Sequence, residues 1–273
     1  MLSFRVILRT MKQNKNLGQS GFSHIVAIIV ILLVATIGFA GWRVMSKTQQ
    51  KSTNQSSQKS PSVSKKSTES EPDISLQNLG LASLDKVNIT TNATREFTSN
   101  GLKGFYIFGD SLSGGRTNPN FEYSSLKDGT KVISAIDGIV AFIREQPDSK
   151  DFEVFIQPKE NSMWTIGYDH IVNLAVKKGA PIKAGDVIGD PALQNNGLTR
   201  FEIQINKDEG GITTHYCPTV LLATSAKDKA IGELTNMQNS WEKITGLELY
   251  DLTAQNPVGC TKKTMTSAEA EGR

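Results

Sequence analysis

Asp128-Gly129-Thr130-Lys131-Val132-Ile133-Ser134-Ala135-Ile136-Asp137-Gly138-Ile139-Val140 packs a turn, a short apolar strand, a second turn and a second strand into one stretch. It is followed by Tyr168-Asp169-His170-Ile171 and then by Val176-Lys177-Lys178-Gly179-Ala180-Pro181-Ile182-Lys183-Ala184-Gly185-Asp186-Val187-Ile188-Gly189. Leu198-Thr199-Arg200-Phe201-Glu202-Ile203 closes the series. Gly138, Gly179, Gly185 and Gly189 fit tight turns or close strand crossings, where a side chain would be costly. Around these landmarks Gly104–Phe108, Lys131–Ser134, Ile139–Ile143, Phe152–Ile156 and Phe201–Ile205 read as strands from period-two alternation or β-branched content. No long helical period interrupts them. Many short strands separated by turn residues predict an antiparallel sheet of sandwich or barrel type.

In this order and at these intervals the segments resemble the LytM or M23 family of zinc peptidases, which cut peptide cross-links in bacterial cell walls. The resemblance covers about 100 residues, roughly Gly101 to Ile205. It implies a mainly β, LytM-like domain of the duplicated hybrid motif type. In that family zinc is held by a His and an Asp ahead of the Gly-Thr-x-Val strand and by the second His of a closing His-x-His-Phe-Glu-Ile motif. Three such ligands leave one tetrahedral position for a water whose pKa can fall to about 7.

Carried onto this chain, the first two positions fall near Asn118 or Pro119 and near Glu122 or Tyr123, and the third on Arg200. None is a histidine, and Arg200 would repel a dication. The family's two histidines that serve the oxyanion or move protons correspond to His170, which is retained, and Leu198, which cannot replace one. The expectation is therefore a scaffold without its metal: no zinc, His170 as the sole family-equivalent catalytic position, and Arg200, Glu122, Asn118 and Tyr168 as binding residues. Arg200 suits a carboxylate of a wall peptide through paired hydrogen bonds, or a salt bridge within the cleft, for instance with Glu122. A relocated site built from His215-Tyr216-Cys217 with Asp169-His170 is the remaining way to keep a metal, since a His-x-Cys pair on a strand shares one face.

The chain has 273 residues and a net charge of +3, but the charge is divided. Residues 1–72 hold ten Lys or Arg against two acidic groups; the remainder holds twenty against twenty-five, a net of −5. The folded part is mildly acidic and has no electrostatic footprint for nucleic acid. Phe22 to Trp42 carries no charge and is long enough, at about 1.5 Å per residue, to cross a bilayer. Arg5, Arg9, Lys12 and Lys15 before it put the N-terminus inside and the bulk of the chain outside. Cleavage after Ala40, or between Gly21 and Phe22 in a prepilin-like manner, is the alternative to a retained anchor.

Residues 46–72 are dominated by Ser, Thr, Lys and Gln and cannot bury enough apolar surface to order themselves. The expected organisation is a basic leader at 1–21, a transmembrane helix at 22–42, a disordered linker at 43–80, a β domain at 99–222 and a helical extension with a loose polar tail at 223–273. In the extension, Ile231, Leu234, Met237, Trp241, Ile244 and Leu247 recur at helical spacing and predict an amphipathic helix. Cys217 and Cys260, an even pair in an extracytoplasmic segment, predict a disulfide pinning that helix to the sheet. Glycines at 104, 109, 114 and 115 make no phosphate loop, because no Lys-Ser or Lys-Thr opens a helix after them.

Three functions follow as expectations. The first is a membrane-tethered, catalytically inactive domain that binds peptidoglycan or regulates a wall hydrolase. The second is an active metallopeptidase with unorthodox zinc ligands. The third is a non-enzymatic adaptor or pilus-like envelope protein.

Overall fold

A computed structural model describes residues 74–84 and 102–273. The leader, the apolar segment at 22–42 and the linker up to residue 73 lie outside the described residues. Among the described residues no helix is long and apolar enough to cross a membrane.

Eleven strands form one sheet: β1 (Phe105–Tyr106), β2 (Phe121–Ser124), β3 (Val132–Ile133), β4 (Gly138–Gln146), β5 (Asp151–Gln157), β6 (Trp164–Val172), β7 (Pro181–Ile182), β8 (Val187–Leu193), β9 (Thr199–Glu209), β10 (Ile212–Tyr216) and β11 (Thr264–Thr266). The main path runs β1-β2-β9-β8-β6-β5-β4-β7, with β9 also pairing β6 directly and β10 joining β9 to β11. Every strand pair is antiparallel, from the β4–β5–β6 meander to β2 on β9. The mainly β, antiparallel architecture read from the sequence is the architecture found.

Alternation places the core. Phe201, Ile203 and Ile205 of β9, Ile166 and Tyr168 of β6, and Val154 and Ile156 of β5 are fully buried. Arg200, Glu202, Gln204 and Asn206 therefore lie on the opposite face of β9. Tyr123 stacks on Phe201 at 5.8 Å and Tyr168 lies 6.4 Å from the same ring, so aromatic contacts tie β2, β9 and β6 together. Gly138 opens β4 where a Cβ would lie 2.2 Å from the carbonyl oxygen of Gln157, so only glycine permits that strand crossing.

The linker expected over 43–80 is shorter within the described residues. Ile74, Leu76, Leu79 and Leu81 are buried, Leu76 N–H donates to Leu221 O at 2.8 Å, and Ile133 N–H donates to Gly80 O at 2.9 Å. Alternate leucines supply the apolar area that the Ser-rich stretch lacks, which orders this segment against β3. The tail expected to be loose is also ordered. Met265 is buried, β11 pairs with β10, and Thr266 and Glu269 form a capping box on α2 (Ser267–Ala270).

Between η-type turns lies α1 (Thr224–Thr245), which buries Ala230, Leu234, Met237, Gln238 and Trp241 and ends on Gly246 in the left-handed region. Ile244 and Leu247, expected on the buried stripe, are exposed: Ile244 lies in the last turn of the helix and Leu247 beyond its end. Cys217 and Cys260 form the expected disulfide, closing a loop with a sequence separation of 43 around α1.

Candidate functional site

Glu122, Glu202 and Asp169 stand in one cross-strand row, because Glu122 pairs with Glu202 between β2 and β9 and Asp169 pairs with Glu202 between β6 and β9. Ser124 faces Arg200 two pairs further along, on the same face. Three carboxylates in a row on the polar face of a sheet repel one another unless cations intervene. Two cations do. The Arg200 guanidinium reaches Glu202 Oε1 through Nη2 at 2.5 Å and Glu122 Oε1 through Nε at 3.0 Å. The second approach is an ion-pair contact off the N–H axis, since the Nε hydrogen itself finds no acceptor.

His170 is the other cation. Between β5 and β6 the register slips, with Phe152 opposite Ile171 and Val154 opposite Tyr168, so Asp169 and His170 together oppose a single residue. The bulge holds His170 at φ 60°, an unusual conformation for a non-glycine residue, and its N–H donates to Asp169 Oδ1 at 2.7 Å. Its Nδ1 lies 2.7 Å from Asp151 Oδ2 and its Nε2 lies 3.5 Å from Glu202 Oε1. A β-bulge thus turns the ring to bridge two buried carboxylates.

The charges respond to this packing. Burial pulls the His170 pKa down, but Glu202, Asp151 and the Asp169 charge outweigh it and raise the group to about 9. Burial raises Glu122, reinforced by the Glu202 charge and opposed by Arg200. Burial acts the same way on Glu202, yet His170 and Arg200 leave it lowered. Asp169 is raised, chiefly by burial. The result is a chain of alternating charge, Asp151–His170–Glu202–Arg200–Glu122, running across β5, β6, β9 and β2.

A folded-state His pKa raised above its unfolded value contributes stability that is complete below the unfolded value of 6.5 and is lost as pH rises through about 9. Thermal melts are expected to hold a constant Tm at slightly acid pH and to decline by several degrees between pH 6.5 and 9. The His170→Gln protein should start lower and lose that slope. Equal slopes in the two proteins would show that His170 does not carry the charge.

Residues named from the sequence divide into two groups. Arg200, Glu122 and His170 meet in the cleft. Asn118 and Tyr168 do not line it as binding residues: both are buried, Asn118 Nδ2 donates to the carbonyls of Ile107 and Asn120, and the Tyr168 hydroxyl accepts from Ala135 N–H at 2.7 Å. Their polar atoms serve the backbone, which explains why polar residues stand in the core there. Leu198 is buried and offers no polar side chain.

The relocated site fails on geometry, because Cys217 is in the disulfide and His215 is bonded to Asn206 and Ser267. Asp151 and Asn120 were not legible as site residues. Asp151 arrives through the bulge, and Asn120, which donates to Glu202 through Nδ2, is placed by the turn before β2. Glu202 lies in the Phe201-Glu202-Ile203 strand, where alternation puts it on the same face as Arg200.

The family's zinc set does not fit these residues. Where three ligands should converge, Asn118 turns its amide hydrogens to carbonyls and Arg200 places a guanidinium between the two carboxylates. Among the described residues one group offers ligand atoms within 4.8 Å of one another: Asp151, Asp169 and His170. Its atoms already serve as partners, Asp151 to His170 and Ser149, and Asp169 to Gln146 and the His170 N–H.

The model of peptidase family M23 matches residues 123–212, and this stretch is an M23-family domain. The match begins at Tyr123, so Asn118, Pro119 and Glu122 lie outside it. Among solved structures the chain is similar to the catalytic domain of the prophage-encoded M23 protein EnpA from Enterococcus faecalis, with 21% identity, 42% of this chain and 88% of that chain covered, and a TM-score of 0.34. It is also similar to the antimicrobial peptidase lysostaphin from Staphylococcus simulans, at 17% identity with 46% and 50% covered and a TM-score of 0.35. A third is a chain of the SpoIIQ–SpoIIIAH pore-forming complex, at 16% identity with 59% and 99% covered and a TM-score of 0.34. No curated protein matches the chain.

Proposed function

We propose that this is a membrane-tethered, extracytoplasmic M23-type domain without zinc-dependent peptidase activity, which binds wall peptidoglycan or regulates a wall hydrolase. The observation that carries the reading is Arg200, held between Glu122 and Glu202 at the centre where the family collects its metal ligands. A guanidinium there supplies fixed positive charge, does not titrate near neutral pH and cannot activate a water. The carboxylates around it are neutralised from within by Arg200 and His170. The apolar segment at 22–42 and the basic residues before it support the anchor and the external placement.

A second reading, an active metallopeptidase with unorthodox ligands, is favoured by the Asp151, Asp169 and His170 group. For a metal to bind, His170 must lose its proton and both aspartates must give up their present partners. Elemental analysis of the purified full chain separates the readings. Well below one equivalent of zinc, retention on purified wall sacculi and no release of wall peptides are expected. One tightly held equivalent with chelator-sensitive cleavage would establish the second reading, and failure to bind sacculi or alter a hydrolase would overturn the first.

A further inference from the structure

On β9 and β10, further along the face of β9 that carries Arg200 and Glu202, a second constellation stands around a pocket of about 300 Å³. The pocket lies between the loop at 112–119, the polar side of β9 and the ordered C-terminal tail, which Thr117 N–H ties down through Ala270 O at 2.9 Å. Ser267, His215, Gln204, Arg116, Thr117 and Pro119 are among its lining residues. His215 pairs directly with Asn206 across β10 and β9, and β11 beside β10 delivers Ser267 at the start of α2.

Asn206 Nδ2 donates to Gln204 Oε1 at 3.2 Å, which leaves Asn206 Oδ1 to accept from His215 Nδ1 at 2.7 Å. With its proton on Nδ1, His215 presents Nε2 as an acceptor to the Ser267 hydroxyl at 3.0 Å. Nucleophile to base and base to orienting group both fall within the reach that such sites require. Burial lowers the His215 pKa, partly opposed by the Asp208 charge, so the ring is neutral and able to take a proton at neutral pH.

We propose that Ser267, His215 and Asn206 form a nucleophilic acyl-transfer site that hydrolyses small O-acyl esters. Ser267 Oγ attacks the ester carbonyl carbon while His215 Nε2 takes the hydroxyl proton. The carbonyl C–O bond to the alcohol then breaks, and His215 returns the proton to the departing alkoxide. Water attacks the acyl-serine, His215 takes its proton and restores Ser267, and a carboxylic acid leaves. One ester and one water give one acid and one alcohol. Gln204, Arg116 and Thr117 supply side-chain donors in the lining for the developing oxyanion. Ser267 and His215 are the catalytic residues; Asn206 is a positioning residue that fixes the imidazole tautomer. The proposal does not rest on the reading of Arg200 and is tested separately from it.

The test is covalent labelling of the full chain with a fluorophosphonate, followed by peptide mass analysis, and hydrolysis of p-nitrophenyl acetate. An adduct on Ser267 is expected, with ester turnover abolished in Ser267→Ala and reduced about a hundredfold in His215→Gln. Asn206→Ala should lose rate, whereas Asn206→Asp should retain it and move the acid limb of the pH–rate profile upward, because a carboxylate raises the imidazole pKa. An unlabelled Ser267 in the natural protein, whose folding is not in question, would overturn the proposal and leave the three residues as a clasp for the tail. Labelling at an unchanged rate in His215→Gln would overturn the role of the base.

Discussion

Arg200→Ala is expected to destabilise the protein by about 2–4 kcal/mol at pH 7, because it leaves Glu122 and Glu202 facing each other with one cation fewer. The lower end of that range allows for the part of the guanidinium that solvent reaches. The loss should depend on pH in a specific direction. Glu122 is raised above its ordinary value by burial and by Glu202, with Arg200 pulling it back. A carboxyl whose folded pKa exceeds the unfolded one takes up a proton on folding, so stability falls as pH rises through that window. Removing Arg200 widens the window, and the deficit should therefore be smaller at pH 5 than at pH 7 in denaturant titrations. Arg200→Met with Glu122→Gln should recover much of the loss, since the remaining Glu202 keeps His170 and Asn120 as partners. Equal deficits at both pH values would mean that Arg200 acts through the packing of its stem.

The legibility of this fold and of its site differ for a physical reason. Strand alternation and turn glycines are local, so β4, β5 and β9 could be read from Ile139–Ile143, Phe152–Ile156 and Phe201–Ile205 to within a few residues. Arg200 beside Glu122 was also accessible, because the resemblance put both at one metal centre and opposite charges there form a salt bridge. Asp151 was not. It reaches His170 through a register slip in which two residues oppose one, and a bulge leaves no periodic trace in sequence. The tail was misread for a similar reason: only Met265 of its residues signals burial, and its order comes from a partner strand fifty residues earlier. Asn118 was named from its distance before Gly129, and Tyr168 from its place in the Tyr168-Asp169-His170 landmark. Their hydrogen bonds go instead to main-chain groups that neighbouring strands do not pair.

Trp241→Ala is expected to be costlier still, about 3–5 kcal/mol, as for other fully buried large side chains cut back to alanine. The indole has a defined seat. A Cβ at Gly104 would lie 1.8 Å from Trp241 Cε2 and Cζ2, so the ring rests directly on the backbone that enters β1. Gly104→Ala should therefore destabilise on its own by forcing the helix away from the strand. Combining the two should cost less than the sum, because the vacated indole space admits the new methyl group. The consequence extends toward the arginine cleft along a short path. Trp241 fixes the start of β1, Tyr106 of β1 pairs with Glu122 of β2, and Glu122 holds Arg200. Denaturant titration of the two single variants and the double variant gives the coupling energy directly. Strict additivity would show that the ring and the glycine do not share one space, and would remove the helix from the set of elements that position Glu122.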